Sequence, residues 1–162
     1  MTKIWAIAAL AACMIAGPAL SAADPQLGQW NLNVAKSKYV SAKPPRSSVA
    51  TVVPYGDNGL SVSVDMINAA GQPAHIRYSA RFDGKPYPRT ETGAGGVPGQ
   101  TVILKRIDSR TVERTVWLGK KPGGTERWVI SADGKTRSVT QSGVDLNGKP
   151  IDNVQLYEKP SS

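Results

Sequence analysis

Short runs in which apolar and polar residues strictly alternate constrain the fold of this chain more than any other feature. The apolar members of two such runs are Leu60, Val62, Val64 and Met66, and then Ile76, Tyr78, Ala80 and Phe82. A period of two is that of a β-strand with one buried face. After residue 23, no segment of ten or more residues follows the helical period. The sequence therefore predicts an all-β domain.

Turn-forming residues separate these runs. Asn or Asp stands beside Gly at residues 57–59, 83–84, 133–134 and 147–148. Glycine accepts the positive φ of tight hairpins, and Asn and Asp tolerate it better than most residues. We therefore predict strands, joined by hairpins, at residues 28–35, 47–55, 59–67, 74–83, 100–107, 110–119, 124–132, 135–145 and 151–159.

A meander of eight or nine antiparallel strands has to protect its two edges, and closure into a barrel removes them. The connections predicted after residue 56 are short, which favours an up-and-down barrel over the alternative, a β-sandwich with longer crossover connections. Residues 35–48 are basic and contain two adjacent prolines, whereas residues 90–100 contain four glycines. Both segments are predicted to be loops at the mouth of the barrel.

The first 23 residues have the three parts of a secretory signal peptide. A single lysine precedes an apolar run at residues 4–16, and a Gly-Pro break leads to small residues at 21–23. The run is shorter than the roughly 20 residues that a membrane-spanning helix needs, so no transmembrane segment is predicted. Cleavage after Ala23 would leave a single barrel domain, residues 24–162, that is periplasmic or secreted.

Cys13 gives an alternative for the same segment. Leu10-Ala11-Ala12-Cys13 resembles a lipoprotein processing box, whose cysteine becomes the acylated N-terminus. If cleavage instead follows Ala23, the domain has no cysteine, because Cys13 is the single one in the chain. Disulfides and thiolate metal sites are then excluded.

The chain is basic, with 20 Lys and Arg against 12 Asp and Glu and a formal net charge of +8. A positive surface favours anionic partners. For an exported domain these are lipid headgroups and acidic polymers, and no nucleic acid is expected. The alternative is that the charges, which are scattered along alternating strands, only keep the domain soluble.

Both ends of the predicted domain resemble known β-barrels. Gly28-Gln29-Trp30 resembles the G-x-W first strand of the calycins, the superfamily of lipocalins and fatty-acid-binding proteins. Residues 154–159, VQLYEK, resemble the closing strand of the fatty-acid-binding proteins, Arg-x-Tyr-Glu-Lys. The resemblance implies a lipocalin-like barrel in which Gly28 lets the chain bend and the indole of Trp30 plugs one end. A basic side chain often packs across that indole.

In the fatty-acid-binding proteins, the arginine and tyrosine of the last strand bind the ligand carboxylate. The matching residues here are Gln155 and Tyr157, so the amide would give neutral hydrogen bonds instead of charge-assisted ones. Residues 35–48 are also too short and too rich in proline for that family's helical lid. Residues 30–38, WNLNVAKSK, further resemble the opening W-x-L-N-x-A-K-S-K of small exported bacterial proteins of unassigned activity.

Polar residues in the interior of such a barrel would indicate a ligand. Arg114 alternates with valines on one strand face, which makes it the candidate for binding an anionic ligand. The alternatives are packing over Trp30 or pairing with a carboxylate such as Glu113 or Glu126. The other candidate ligand-binding residues are Gln155, Tyr157, Tyr78, Trp117 and Trp128.

Trp117 and Trp128 are expected on neighbouring strands, where they would stack on a flat ligand or a sugar, or else pack in the core or on the outer surface of the barrel. His75, the only histidine, falls on a polar face beside a turn and is predicted to be exposed. No cysteine cluster, second histidine or carboxylate pair has the spacing of a metal site or an acid–base pair. No catalytic residue, metal or cofactor is therefore predicted.

Three classes of function follow. The leading one is an exported binding protein that holds a small amphipathic ligand in the barrel, anionic if Arg114 binds it. The second is a protein-interaction or inhibitor module that acts through residues 35–48 and 90–100. The third is an enzyme on a calycin barrel, in which tyrosine, arginine and glutamine would supply the chemistry. The first class predicts a hollow barrel and the second a filled one.

Overall fold

The computed structural model describes residues 23–94, 96–145 and 147–161, which form one sheet. Its strands are β1 (Gly28–Tyr39), β2 (Ser47–Pro54), β3 (Gly59–Ile67), β4 (Pro73–Arg81), β5 (Tyr87–Gly93), β6 (Gln100–Arg106), β7 (Thr111–Leu118), β8 (Lys121–Ile130), β9 (Thr136–Val144) and β10 (Pro150–Glu158). These residues contain no helix, and hence none that could cross a membrane. Apart from Ala23, the predicted signal peptide at residues 1–23 lies outside the described residues, and so does Cys13.

Each strand pairs antiparallel with the next one along the chain, and β1 also pairs with β10, which closes the sheet. The prediction of an all-β, antiparallel, up-and-down barrel is confirmed, and the β-sandwich is ruled out. The strands number ten, where eight or nine were expected. The additional strand is β5, so the loop predicted at residues 90–100 is limited to residues 94–99.

The loop predicted at residues 35–48 is also shorter than expected, because β1 continues and leaves residues 40–46 as the connection. The register of β1 against β10 shifts after Asn33. At this bulge the side-chain oxygen of Asn33 accepts a hydrogen bond from the N–H of Lys36. The hydroxyl of Ser37 donates to the Asn33 carbonyl and accepts from the N–H of Leu156. These side chains replace ladder hydrogen bonds, which lets a lysine-rich segment continue as a strand.

Side chains alternate between the interior of the barrel and its outer surface, and the buried apolar ones form one core. Its members are Trp30, Ala50, Val52, Leu60, Val62, Ile76, Tyr78, Ala80, Val102, Leu104, Val112, Trp128, Ile130, Val139 and Tyr157. The connections after β2, β4, β6 and β8 lie at one end, here called the plugged end. Those after β1, β3, β5, β7 and β9 lie at the other end, here called the mouth.

Trp30 closes the plugged end. Its side chain is fully buried, and its indole N–H donates to the carbonyl of Gln26 at 3.0 Å. The guanidinium of Arg137 lies 5.1 Å from the centre of the indole, and the ammonium of Lys159 lies 5.0 Å from it. Gly28 enters the strand with a φ of +113°, a conformation that side chains disfavour. Gly28, the indole of Trp30 and two basic side chains therefore lie together at this end of the barrel.

Candidate functional site

The barrel is not completely filled by its side chains. An outer cavity of about 250 Å³ opens at the mouth. Its described lining residues are Glu91, Val97, Gln100, Arg114, Val116, Gly124, Glu126, Gln141, Asp145, Asn147 and Ile151. An inner cavity of about 110 Å³ reaches deeper, as far as Trp128 and Arg137. Arg114, Glu126 and Gln141 line both cavities and therefore form the wall between them.

A polar network across four strands builds this wall. The Nη2 atom of Arg114 lies 2.6 Å from Oε1 of Glu126. The same carboxylate accepts hydrogen bonds from Nε2 of Gln141 and from the indole N–H of Trp128, both at 2.9 Å. Gln141 in turn accepts from the amide of Asn153 at 3.1 Å. These residues face one another because β7, β8, β9 and β10 are consecutive neighbours in the sheet.

The charges in the wall stabilise each other. Burial alone would raise the pKa of Glu126, but the guanidinium of Arg114 and the hydrogen bonds from Trp128 and Gln141 lower it below its usual value. Burial alone would lower the pKa of Arg114, but the Glu126 carboxylate raises it above its usual value. Both groups are therefore charged at neutral pH. The pairing of Arg114 with Glu126 is one of the alternatives that the sequence left open.

A second buried ion pair lies on β5, beside the outer cavity. Arg89 donates through Nη1 to the carboxylate of Glu91 at 2.7 Å and also to the side-chain oxygen of Gln100. The sequence did not predict this group, because Glu91 falls in residues 90–100, which were expected to form a loop. The available signal was the spacing of Arg89 and Glu91, which places both on one face of a strand.

Arg137 is the third buried arginine, with 3% of its surface exposed. Its guanidinium lies 5.1 Å from the ring of Trp128 and 5.0 Å from that of Tyr157, in addition to its contact with Trp30. It forms no ion pair with a carboxylate of the described residues, and its Nε and Nη1 have no hydrogen-bond partner there. Burial lowers the pKa of Arg137 to about 10, so the side chain is still charged at neutral pH.

Five of the six predicted ligand-binding residues lie together inside the barrel. Arg114, Trp128, Gln155 and Tyr157 line the inner cavity, and the ring of Tyr78 lies 5.5 Å from the Arg114 guanidinium. Trp117 does not join them, because it lies on the outer surface, in a groove with Thr101 and Ile103. The predicted stacking of a ligand between Trp117 and Trp128 therefore has no counterpart in the structure.

His75 lies on the outer surface, as its pattern predicted. Its Nδ1 is 2.6 Å from a carboxylate oxygen of Asp65, which also accepts a hydrogen bond from Arg77 at 2.7 Å. This arrangement is an exposed ion-pair cluster. Among the residues that the structure describes, no group of three or more His, Cys, Asp or Glu side chains is placed to hold a metal ion.

Comparison with known proteins gives no family for this chain. No model of a protein family matches the sequence, and no curated protein is similar to it. The closed ten-stranded antiparallel barrel is compatible with a calycin-like barrel. The likeness to calycins therefore depends on the architecture and on the motifs at the two ends of the domain.

Proposed function

We propose that this protein is an exported, lipocalin-like binding protein that holds one small amphipathic ligand in its barrel. The observation that carries the proposal is the unfilled interior, with an outer cavity that opens at the mouth and an inner cavity that reaches from Pro45 and Met66 down to Trp128 and Arg137. Pockets for drug-sized ligands usually measure about 300–1,000 Å³, so a ligand of this barrel is at the small end of that range.

The walls of the cavities support an amphipathic ligand. The apolar residues around the inner cavity include Ala50, Val62, Val64, Ile76 and Val139. Its polar residues include Ser48, Gln155 and Tyr157, which can donate or accept hydrogen bonds. A largely apolar pocket with a few convergent polar groups is the usual form of a small-molecule site.

Binding is favoured over catalysis because most of the charged side chains around the cavities form ion pairs with one another. Arg114 pairs with Glu126 and Arg89 pairs with Glu91, which leaves neither carboxylate free to act as a general base. Asp145, at the rim of the outer cavity, accepts hydrogen bonds from the backbone of its own turn.

Gly124 offers a direct test, because a side chain there would occupy the outer cavity. A Cβ atom on Gly124 would lie 2.7 Å from the flexible Cδ1 end of Ile151, which can move. We expect Gly124→Leu to weaken binding of the amphipathic dye anilinonaphthalene sulfonate about tenfold or more in a fluorescence titration. Thr140→Leu places the same leucine side chain at an exposed position of β9, away from the cavity, and should leave dye binding unchanged.

Equal dye binding by the wild type and by folded Gly124→Leu would place the dye outside the barrel and count against the proposal. A second measurement identifies the natural ligand. Native mass spectrometry of protein purified from the cells that make it should show an added mass that is lost on denaturation. A protein partner bound at the mouth, where residues 40–46, 94 and 96–99 lie, would instead support the interaction module.

A further inference from the structure

The buried charges inside the barrel do not balance. Three arginines are buried there, Arg89, Arg114 and Arg137, but the strands bring only two carboxylates to meet them. Glu91 is paired with Arg89 and Glu126 with Arg114. Within the described strands, Arg137 is therefore a buried cation without a paired anion.

The surroundings of Arg137 compensate its charge only in part. Three aromatic rings lie within about 5 Å of its guanidinium, and each attracts a cation through the face of the ring. Rings do not, however, satisfy the N–H groups of Nε and Nη1, which have no partner among the described residues. A buried charge that lacks hydrogen bonds is costly, so the site is built to favour an anion.

Two hydroxyl groups line the inner cavity together with Arg137. The hydroxyl of Tyr157 lies 3.3 Å from the hydroxyl of Ser48 and 3.4 Å from the side-chain oxygen of Gln155. Both distances exceed the roughly 2.7–2.8 Å of a strong O–H···O hydrogen bond. The two hydroxyls are thus weakly engaged and can turn toward an anion at little cost.

We propose that Arg137, with Ser48 and Tyr157, forms an anion site in the inner cavity, and that the ligand of this barrel is a monoanion. The negatively charged head binds at Arg137, and the apolar part lies against the apolar wall that includes Val62, Ile76 and Val139. The inner cavity, at about 110 Å³, is smaller than the pockets that hold drug-sized ligands, which favours a carboxylate with a short chain. This inference rests on the proposed function and specifies its ligand class.

The site differs from the one that the closing-strand motif implied. The fatty-acid-binding resemblance would place the cation on β10, at the position of Gln155. The structure has the cation on β9 instead, where Arg137 is directly opposite Tyr157 in the sheet. In the proposed site, the ligand's anionic group is therefore bound by an arginine of β9, the neighbour of the strand that carries Tyr157.

The test compares three molecules of equal chain length that differ in charge, namely hexanoate, hexanol and hexylammonium. The protein is first denatured and refolded to remove any retained ligand. Hexanoate should bind about tenfold or more tightly than hexanol, the usual effect of a charge-assisted hydrogen bond, and hexylammonium should bind least. Arg137→Met should abolish the preference for hexanoate and leave the affinity for hexanol within about threefold.

Arg81→Met is the matched control, because it removes the same charge from an exposed position of β4 and should leave all three affinities unchanged. If Arg137→Met fails to fold, NMR of the wild-type protein tests the anion site instead. The Nε–H resonance of Arg137 should then shift with hexanoate and not with hexanol.

Equal affinities for hexanoate and hexanol, or an NMR shift confined to Arg114, would overturn the anion site. If Gly124→Leu still weakens dye binding in that case, the barrel remains a binding site and only the ligand class is wrong. Loss of both effects would overturn the two proposals together.

Discussion

Glu126 is the residue on which the wall between the cavities depends. We expect Glu126→Gln to reduce the free energy of unfolding by about 3 kcal/mol, because it leaves Arg114 buried without its counter-charge. The measurement is urea unfolding at neutral pH. Glu113→Gln is the control, since the Glu113–Arg127 pair is 3.6 Å long and partly exposed, and its loss should cost less than about 1 kcal/mol.

The contribution of Glu126 to the free energy of unfolding should also depend on pH. The pKa of Glu126 is lower in the folded protein than its ordinary value of 4.5, so the stability it contributes is present above that pH and is lost as the pH falls through the folded pKa. The difference in unfolding free energy between wild type and Glu126→Gln should therefore shrink in acid. A difference that stays constant down to strongly acidic pH would contradict the assigned ion pair.

At the scale of residues, the sequence predicts which side chains face the interior of the barrel. It predicts less well which residues those side chains contact. Alternation with valines placed Arg114 inside, but its partner depended on the register of β7 against β8, which puts it opposite Glu126. Arg137 gave no such signal, because its environment comes from Trp30, Trp128 and Tyr157 on three different strands. Contacts between residues so distant in the chain are not encoded in a local pattern.

At the scale of elements, β5 shows why one strand was not predicted. Its inward residues, Arg89 and Glu91, are polar, so the usual alternation of apolar and polar residues is missing. Pro88 within the strand also argues against a central position in a sheet. The other strands were predicted because apolar residues or hairpin turns mark them; on β7, for example, Val112 and Val116 flank the inward Arg114. A strand whose inward side chains are polar and paired with each other therefore lacks the alternating pattern by which strands are recognised in a sequence.

Gly93 ends β5 at a close approach to β4. Its φ is +88°, and a Cβ there would lie 2.3 Å from the carbonyl oxygen of Pro73. Gly84→Ala, at a φ of +74° with open space around it, should cost only the roughly 1–2 kcal/mol of the left-handed conformation. Gly93→Ala should cost about 1–3 kcal/mol more, because the backbone of β4 or β5 must move. Equal urea midpoints for the two variants would contradict this packing.

At the scale of the whole molecule, buried tyrosines predict a loss of stability in alkali. Burial, and then the nearby Tyr157, raise the pKa of Tyr39 from 10.0 to about 12, and burial also raises the pKa of Tyr78 and of Tyr157. The unfolded chain therefore loses these protons first, and stability falls as the pH rises from 10 toward 12. Arg137 and Arg89 act in the opposite direction, because burial makes the pKa of each lower in the folded state.

Three tyrosines outweigh these two arginines, so the net effect is a fall. Urea midpoints should decrease between about pH 9 and about pH 11. Tyr39→Phe should make the decrease shallower, since it removes one of the groups concerned. A wild-type midpoint that rises over this interval would show that the tyrosines ionise as freely in the folded barrel as in the unfolded chain.

The pairing of β1 with β10 joins the first strand of the domain to the last one. Because β1 pairs with both β2 and the last strand, the sheet cannot close until β10 has been synthesised. A barrel that depends on so distant a pairing also folds slowly compared with proteins dominated by local contacts. Under the proposed export through a narrow channel, this delay is useful, because the polypeptide stays unfolded until its whole length has crossed.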